Sequence, residues 1–379
     1  MLYIITILFI LINILMRDSK YLFVVDFVFL FILLGLSDGS YDTLIFFNRY
    51  IDPERYSDFT EILFNGIIKF FHLLNFNYRQ FMMAVSFIEL IMLFVFIKKH
   101  TKNVCFVIGV FMIFPMLHSF EQLRFLMGFI IVLTVGIDSL LKSKKNHTII
   151  YCISVLIATL IHSSCIFFML FILAKKFNTK TIIKITIFTT IILSTIGIRP
   201  EMLKIIGFII GDSKLEIVTR IQKGQEGQFG CSCLSTLVFL EYLVYYLYIN
   251  NKTDKLGINK SDLDNINLVL KFNIISIIAI PLIYIFSTAF MRIAVFLLIL
   301  NYVFISKSLD YDKKYCTTKY KFIITISTTM CAVVLFFFAS HTKIAFDLNV
   351  RPFFEENIIL TIFDNNYEVI YENSKAYFI

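Results

Sequence analysis

The chain reads as an all-α, polytopic integral membrane protein, and three observations predict this. Hydrophobic residues fill 58% of its 379 positions and charged residues only 16%, a balance far from that of a water-soluble globular domain. The apolar residues gather in runs close to the ~20 needed to cross the hydrocarbon of a lipid bilayer. Between the runs stand short clusters of lysine, which in membrane proteins mark the cytoplasmic loops.

The candidate segments are residues 1–16, 21–36, 80–97, 104–117, 120–141, 148–173, 181–196, 230–250, 267–287, 289–306 and 320–340. They amount to about 11–12 membrane helices, counting one broken or hairpin segment. The first run, Leu2 to Met16, has no basic stretch ahead of it and no small-residue cleavage site, so it reads as a retained helix and not a signal peptide. No Pro/Gly/Ser-rich linker divides the sequence, and residues 1–379 read as one transmembrane domain.

The 148–173 run is the broken one. Lysine clusters lie at Lys98, Lys99 and Lys102, at Lys142, Lys144 and Lys145, at Lys175, Lys176, Lys180 and Lys184, at Lys252, Lys255 and Lys260, and at Lys307, Lys313, Lys314 and Lys319. The positive-inside rule asks for all of them on one side. A single crossing through 148–173 separates the second cluster from the third, whereas a hairpin of two short helices turning at His162, Ser163 and Ser164 keeps them together. The outer face then receives the N-terminus, the loops at 37–79 and 197–229, the turn at 118–122, the His162 turn, the turn near Ala289 and a tail over 341–379. The basic residues of the 197–229 loop depart from the charge pattern, although long loops translocate regardless of charge.

Several function classes are excluded or lack support. The formal charge of +8 comes from the loop clusters, without the aromatic-interleaved stripe of a nucleic-acid binder. Seven cysteines, several inside apolar runs, give no disulfide framework and no zinc spacing. No P-loop, Rossmann fingerprint, nucleophile elbow or metalloprotease motif occurs. No cofactor and no metal site is expected.

Charge near membrane depth is expensive and marks candidate chemistry. Arg124 follows Glu121 by three residues and precedes Gly128 by four, which puts all three on one helical face, with glycine permitting close approach. An arginine fork there suits a pyrophosphate, and a local pair with Glu121 is the alternative. Gln122 stands beside it. Arg292 opens the tenth run, as a second phosphate ligand or as a snorkelling interfacial residue. His162 is a base or hydrogen-bond donor at the helix break, or a packed imidazole. Asp38, Asp42 and Glu61 are carboxylates of the first outer loop that could deprotonate or orient a sugar hydroxyl, or be merely solvated. Asp26 and Glu89 lie inside membrane segments, where pairing with arginine or hydroxyl groups or a proton route would explain them.

Taken in order, Gly35-x-x-Asp38, Glu61 ahead of a short apolar stretch, Gln122-x-Arg124, His162-Ser163-Ser164 and Met291-Arg292 resemble the EpsG family of polysaccharide polymerases, of the broad Wzy type. The resemblance spans about residues 35–305. It implies a fold like the helical GT-C glycosyltransferases and a metal- and nucleotide-independent enzyme. The implied reaction joins polyprenyl-pyrophosphate-linked oligosaccharide repeats at the outer face of the bacterial inner membrane, making capsule, exopolysaccharide or O-antigen. Arg124 and Arg292 would hold the pyrophosphate, His162 or a loop carboxylate (Asp38 or Glu61) would activate the acceptor, and Glu121, Gln122, Ser163 and Asp42 would support them. Chain-length regulator and flippase proteins are the implied protein partners. The alternatives are another lipid-linked sugar transferase or ligase, and a lipid-linked oligosaccharide flippase. Against the flippase, the chain shows no internal repeat of two matching halves.

Overall fold

The computed structural model describes residues 2–37, 43–54, 61–142, 146–197, 226–251, 258–286, 290–310, 318–340 and 350–355. Asp38, Asp42 and Ala289, with most of the 197–229 loop and of the 341–379 tail, lie outside these residues. The regular elements are helices. Among the described residues six are long and apolar enough to cross a membrane: Tyr78–His100, Leu123–Leu141, Gly230–Asn250, Lys260–Ile283, Met291–Asp310 and Tyr320–Ser340. The chain is a multi-pass, all-α membrane protein. It divides into two compact units, residues 1–138, 152–166 and 340–379 in the first, and residues 139–151 and 167–339 in the second.

In the first unit, α1 (Leu2–Leu15) and α2 (Lys20–Gly35) are apolar and joined by a short turn capped by Ser19, whose hydroxyl accepts from the Leu22 amide. The expected loop at 37–79 contains two helices, α3 (Thr43–Ile51) and α4 (Ile62–Leu73). Their apolar residues recur at helical spacing, which the membrane-length criterion passes over because neither run reaches ~20 residues. α5 (Tyr78–His100) starts with a capping box, Asn77 accepting from the Gln80 amide while Gln80 accepts from the Asn77 amide. α6 (Val104–Ile113) ends at Phe114 and the cis Pro115, and α7 (Met116–Glu121) leads into α8 (Leu123–Leu141), which carries a π-helical stretch at Val132–Ile137. At the far end of α8, Asp138 accepts from Lys99 Nζ at 2.7 Å and faces His100 Nε2 at 3.1 Å. The first lysine cluster thus meets the end of α8.

Among the described residues Asp26 pairs with neither an arginine nor a hydroxyl. Asn13 of α1 donates to its Oδ1 at 2.7 Å, both side chains being fully buried. A Cβ on Gly109 of α6 would lie 2.8 Å from the Asn13 Cβ, so that glycine gives the polar pair its room. The Glu89 carboxylate has no hydrogen-bond partner among the described residues.

The broken segment is α9 (His147–Ile161), a 3-10 stretch at Ser163–Phe171 and α10 (Ile172–Lys176). It folds back on itself, as the charge pattern requires. Within the second unit, Tyr151 donates to the carbonyl of Phe168 at 2.5 Å, a contact that 17 residues of straight helix could not make. The two ends also meet, with Ser139 Oγ donating to the His147 carbonyl at 3.2 Å and Lys175 Nζ to the Leu140 carbonyl at 3.0 Å. Lys142 and Lys175 therefore stand at the same end of this unit. Lys271 of α13 (Lys260–Ser276) donates to the carbonyls of Ala174 and Phe177, and Lys307, the last residue of α15 (Met291–Lys307), pairs with Asp262 at 2.5 Å. The second unit is completed by α11 (Thr179–Gly197), α12 (Glu226–Asn250), α14 (Ala279–Phe286) and α16 (Thr318–Ser340). Its interior holds a reciprocal amide pair, Asn273 with Asn301, at 2.8 and 3.0 Å.

Candidate functional site

A buried ionic cluster forms where α3, α4 and the start of α8 meet in the first unit. α3 and α4 are apolar on the faces that meet α5. Phe46, Tyr50, Phe64, Ile68, Phe71, Phe81, Val85, Leu123 and Ile161 make one buried cluster. Burying these rings stabilises two helices each too short to be held by propensity alone. Tyr50 further ties α3 down by donating to the Phe76 carbonyl at 2.5 Å.

That packing carries three charged side chains inward. Glu61 stands at the N-terminal boundary of α4, where a negative charge also suits the helix dipole. Its Oε2 accepts from Arg49 Nη1 at 2.7 Å and from Arg124 Nη1. Arg49 spends its other donors on Asn65 Oδ1, from Nε at 3.0 Å and Nη2 at 2.8 Å. Asn65 follows Glu61 by four residues, so both project from one face of α4. Both guanidiniums lie over aromatic rings, Arg124 Cζ at 5.3 Å from the Phe46 centroid and 5.8 Å from Phe64, and Arg49 Cζ at 5.3 Å from Phe64. Cation–π contact and a shared carboxylate compensate for the cost of burying two like charges.

Among the described residues the cluster holds two cations and one anion, which leaves one positive charge uncompensated there. It is presented by Arg124, whose side chain is 20% exposed against 6% for Arg49 and 5% for Glu61. Arg124 Nε is buried and has no hydrogen-bond partner among the described residues, and the same holds for Gln122 Oε1 and Ser119 Oγ on the turn before it. Buried polar atoms are normally satisfied. Of these three, Arg124 Nε is a donor, Gln122 Oε1 an acceptor and Ser119 Oγ either.

The turn of the hairpin lies against the same helix. A Cβ on Gly128 would fall 2.7 Å from Cys165 Sγ and 3.1 Å from the Ala158 carbonyl oxygen, residues on either side of the turn. The close approach expected of Gly128 is therefore made to the hairpin. His162 is buried, and its ring meets Phe125 edge-on at 5.4 Å, one residue after Arg124. The Ser164 amide donates to His162 Nδ1 at 3.2 Å, which assigns the proton of the neutral ring to Nε2.

Of the residues singled out in the sequence, the structure brings Glu61 and Arg124 into contact and sets His162 beside the Arg124 helix. Arg124 pairs with Glu61, 63 positions away, and the side chain of Glu121 lies outside the described residues. Gln122 occupies the N-terminal boundary of α8, and Ser163 opens the 3-10 stretch. Arg292 belongs to the second unit, in the first turn of α15. Asp38 and Asp42 lie outside the described residues. Sequence reading missed Arg49 and Asn65. The available signal was Asn65 at four-residue spacing from Glu61, and an arginine beside Asn48 in the largely apolar Leu44-to-Ile51 stretch.

The EpsG family model, describing Wzy-type polysaccharide polymerase-like membrane proteins, matches residues 20–348. No curated protein and no solved structure matches the chain.

Proposed function

Because the chain belongs to the EpsG family, we propose that it polymerises oligosaccharide repeat units carried on polyprenyl pyrophosphate, at the outer face of the cytoplasmic membrane. The observation that carries this reading is the surplus cation at Arg124 and its buried Nε–H, unpartnered among the described residues. In the transfer, a bond forms between an acceptor hydroxyl oxygen and the anomeric carbon, and the bond from that carbon to the pyrophosphate oxygen breaks. The pyrophosphate leaves with the electron pair, and the hydroxyl proton goes to a base. Charge develops on the leaving oxygen. Fixed cationic donors at that place lower the barrier without reorganisation, and a planar guanidinium meets phosphate oxygens two at a time.

Glu61 is better suited to aiming Arg124 than to taking a proton, because its Oε2 already accepts from two guanidiniums. His162, with Nδ1 occupied as an acceptor, is better suited to orienting groups beside Arg124 than to taking a proton at that nitrogen. The loop carboxylate Asp38 is then the proposed base. The resemblance in the sequence gives Arg292 a phosphate-binding role, which substitution by lysine tests separately.

The test is the size distribution of surface glycan and lipid-linked intermediates in cells lacking the gene and in cells restored with wild type or Arg124→Lys. Complete single repeats that are exposed outside and never extended are expected in the deletion and in Arg124→Lys, since a point charge cannot replace the fork. Truncated repeats would instead identify a single-sugar transferase, and complete repeats trapped inside a flippase. Polymer of normal length from Arg124→Lys would refute the assignment of that residue.

A further inference from the structure

The two cationic partners of Glu61 are not equivalent. Arg49 is enclosed, with three of its donors spent on Asn65 and Glu61 and its side chain 6% exposed. Arg124 is the open partner, with a buried Nε–H unpartnered among the described residues. An anion approaching the cluster meets Arg124 and finds Glu61 already on it.

Two anions on one guanidinium repel, and a buried carboxylate stripped of its partner is strongly disfavoured. Here the displaced carboxylate would not be stripped, because Arg49 holds the same Oε2 at 2.7 Å and is itself locked by Asn65. We propose, resting on the pyrophosphate reading above, that Glu61 is a resident counter-anion exchanged during turnover. Before the donor binds, Glu61 keeps Arg124 aimed. A phosphate oxygen of the donor then takes Arg124, and Glu61 stays on Arg49. When the sugar has been transferred, the returning carboxylate competes with the spent carrier and favours its release. No covalent bond changes in these steps; only hydrogen bonds are exchanged. Arg49 and Asn65 act through Glu61 and are positioning residues.

The scheme predicts effects of opposite sign, which a purely structural cluster does not. The experiment measures binding of geranylgeranyl pyrophosphate to the purified full-length protein in nanodiscs by calorimetry, with geranylgeraniol as the control, alongside polymer formation in cells. Glu61→Gln removes the competing anion and is expected to bind the probe roughly tenfold tighter while making less polymer. Arg49→Gln leaves Glu61 with Arg124 alone and is expected to bind roughly tenfold more weakly. The double variant is expected to recover at least wild-type affinity. Should Arg49→Gln fail to fold, Asn65→Ala loosens Arg49 while keeping both charges, with weaker binding again reversed by Glu61→Gln.

Equal or weaker binding by Glu61→Gln, or a double variant no better than Arg49→Gln, overturns the exchange and leaves the pyrophosphate reading standing. A wild-type protein that does not prefer the pyrophosphate to geranylgeraniol overturns that reading and the exchange with it.

Discussion

Replacing Gly128 by alanine tests how the Arg124 helix is set against the hairpin. The new Cβ would lie 2.7 Å from Cys165 Sγ and 3.1 Å from the Ala158 carbonyl oxygen. The first contact is about 1 Å inside the usual ~3.5–4.0 Å optimum. Neither neighbour can swing aside, since Cys165 and Ala158 are both fully buried and the second contact is backbone. The helix and the hairpin must therefore separate. Overpacking of this kind costs about 1–3 kcal/mol. The functional effect should be larger than the stability effect, because a ~1 Å displacement of a positioned group can lower a rate by about 10²-fold, and Arg124 stands one helical turn away. Thermal unfolding in detergent and glycan length in complemented cells measure the two quantities. Adding Cys165→Ala removes the sulfur and leaves only the 3.1 Å contact, so the double variant should recover most of the lost stability. A Gly128→Ala protein with wild-type melting temperature and polymer, or a double variant no better than the single, would refute the packing argument.

Tyr151→Phe deletes the bond that closes the hairpin onto Phe168 and should lower stability by about 0.5–1.5 kcal/mol, read by denaturation in detergent; no change would mean that the fold-back does not depend on it. Single cysteines placed at Lys142 and Lys176 in a cysteine-free background should both react with membrane-impermeant maleimide from one side only, and labelling from opposite sides would exclude the hairpin. Asn13→Ala leaves the buried Asp26 carboxyl without its amide partner and should destabilise the first unit by about 1–3 kcal/mol. Asn13→Ala combined with Asp26→Leu should be milder than Asn13→Ala alone, because no orphaned polar group then remains, and equal losses would count against the pair.

The fold was legible where the membrane itself sets the rule. Apolar run length identified α5 and α15, and the lysine clusters at 142–145 and 175–184 required the turn at His162 that Tyr151 and Phe168 close. α3 and α4 were not legible in the same way, because runs too short to cross a bilayer are invisible to a criterion built on crossing. Their existence depends on Phe46, Phe64 and Phe81 finding one another across the fold. The candidate site divides along the same line. The apolar surroundings of Arg124, and the setting of Glu61 and His162, were enough to single each of them out. Their partners were not readable, since the nearest acidic residue in sequence to Arg124 is Glu121, whereas the structure pairs Arg124 with Glu61.

Asn13 and Asn65 went unweighed for a related physical reason. A neutral amide costs little in an apolar run compared with a charge, yet it is the group best able to accept or donate twice without adding net charge. Asn65 Oδ1 accepts from two arginine donors, and Asn13 donates to a buried carboxyl. In an apolar bundle the charges mark where a site can be. The amides decide which charges are held still, and so which one, here Arg124, is left with a donor unpartnered among the described residues.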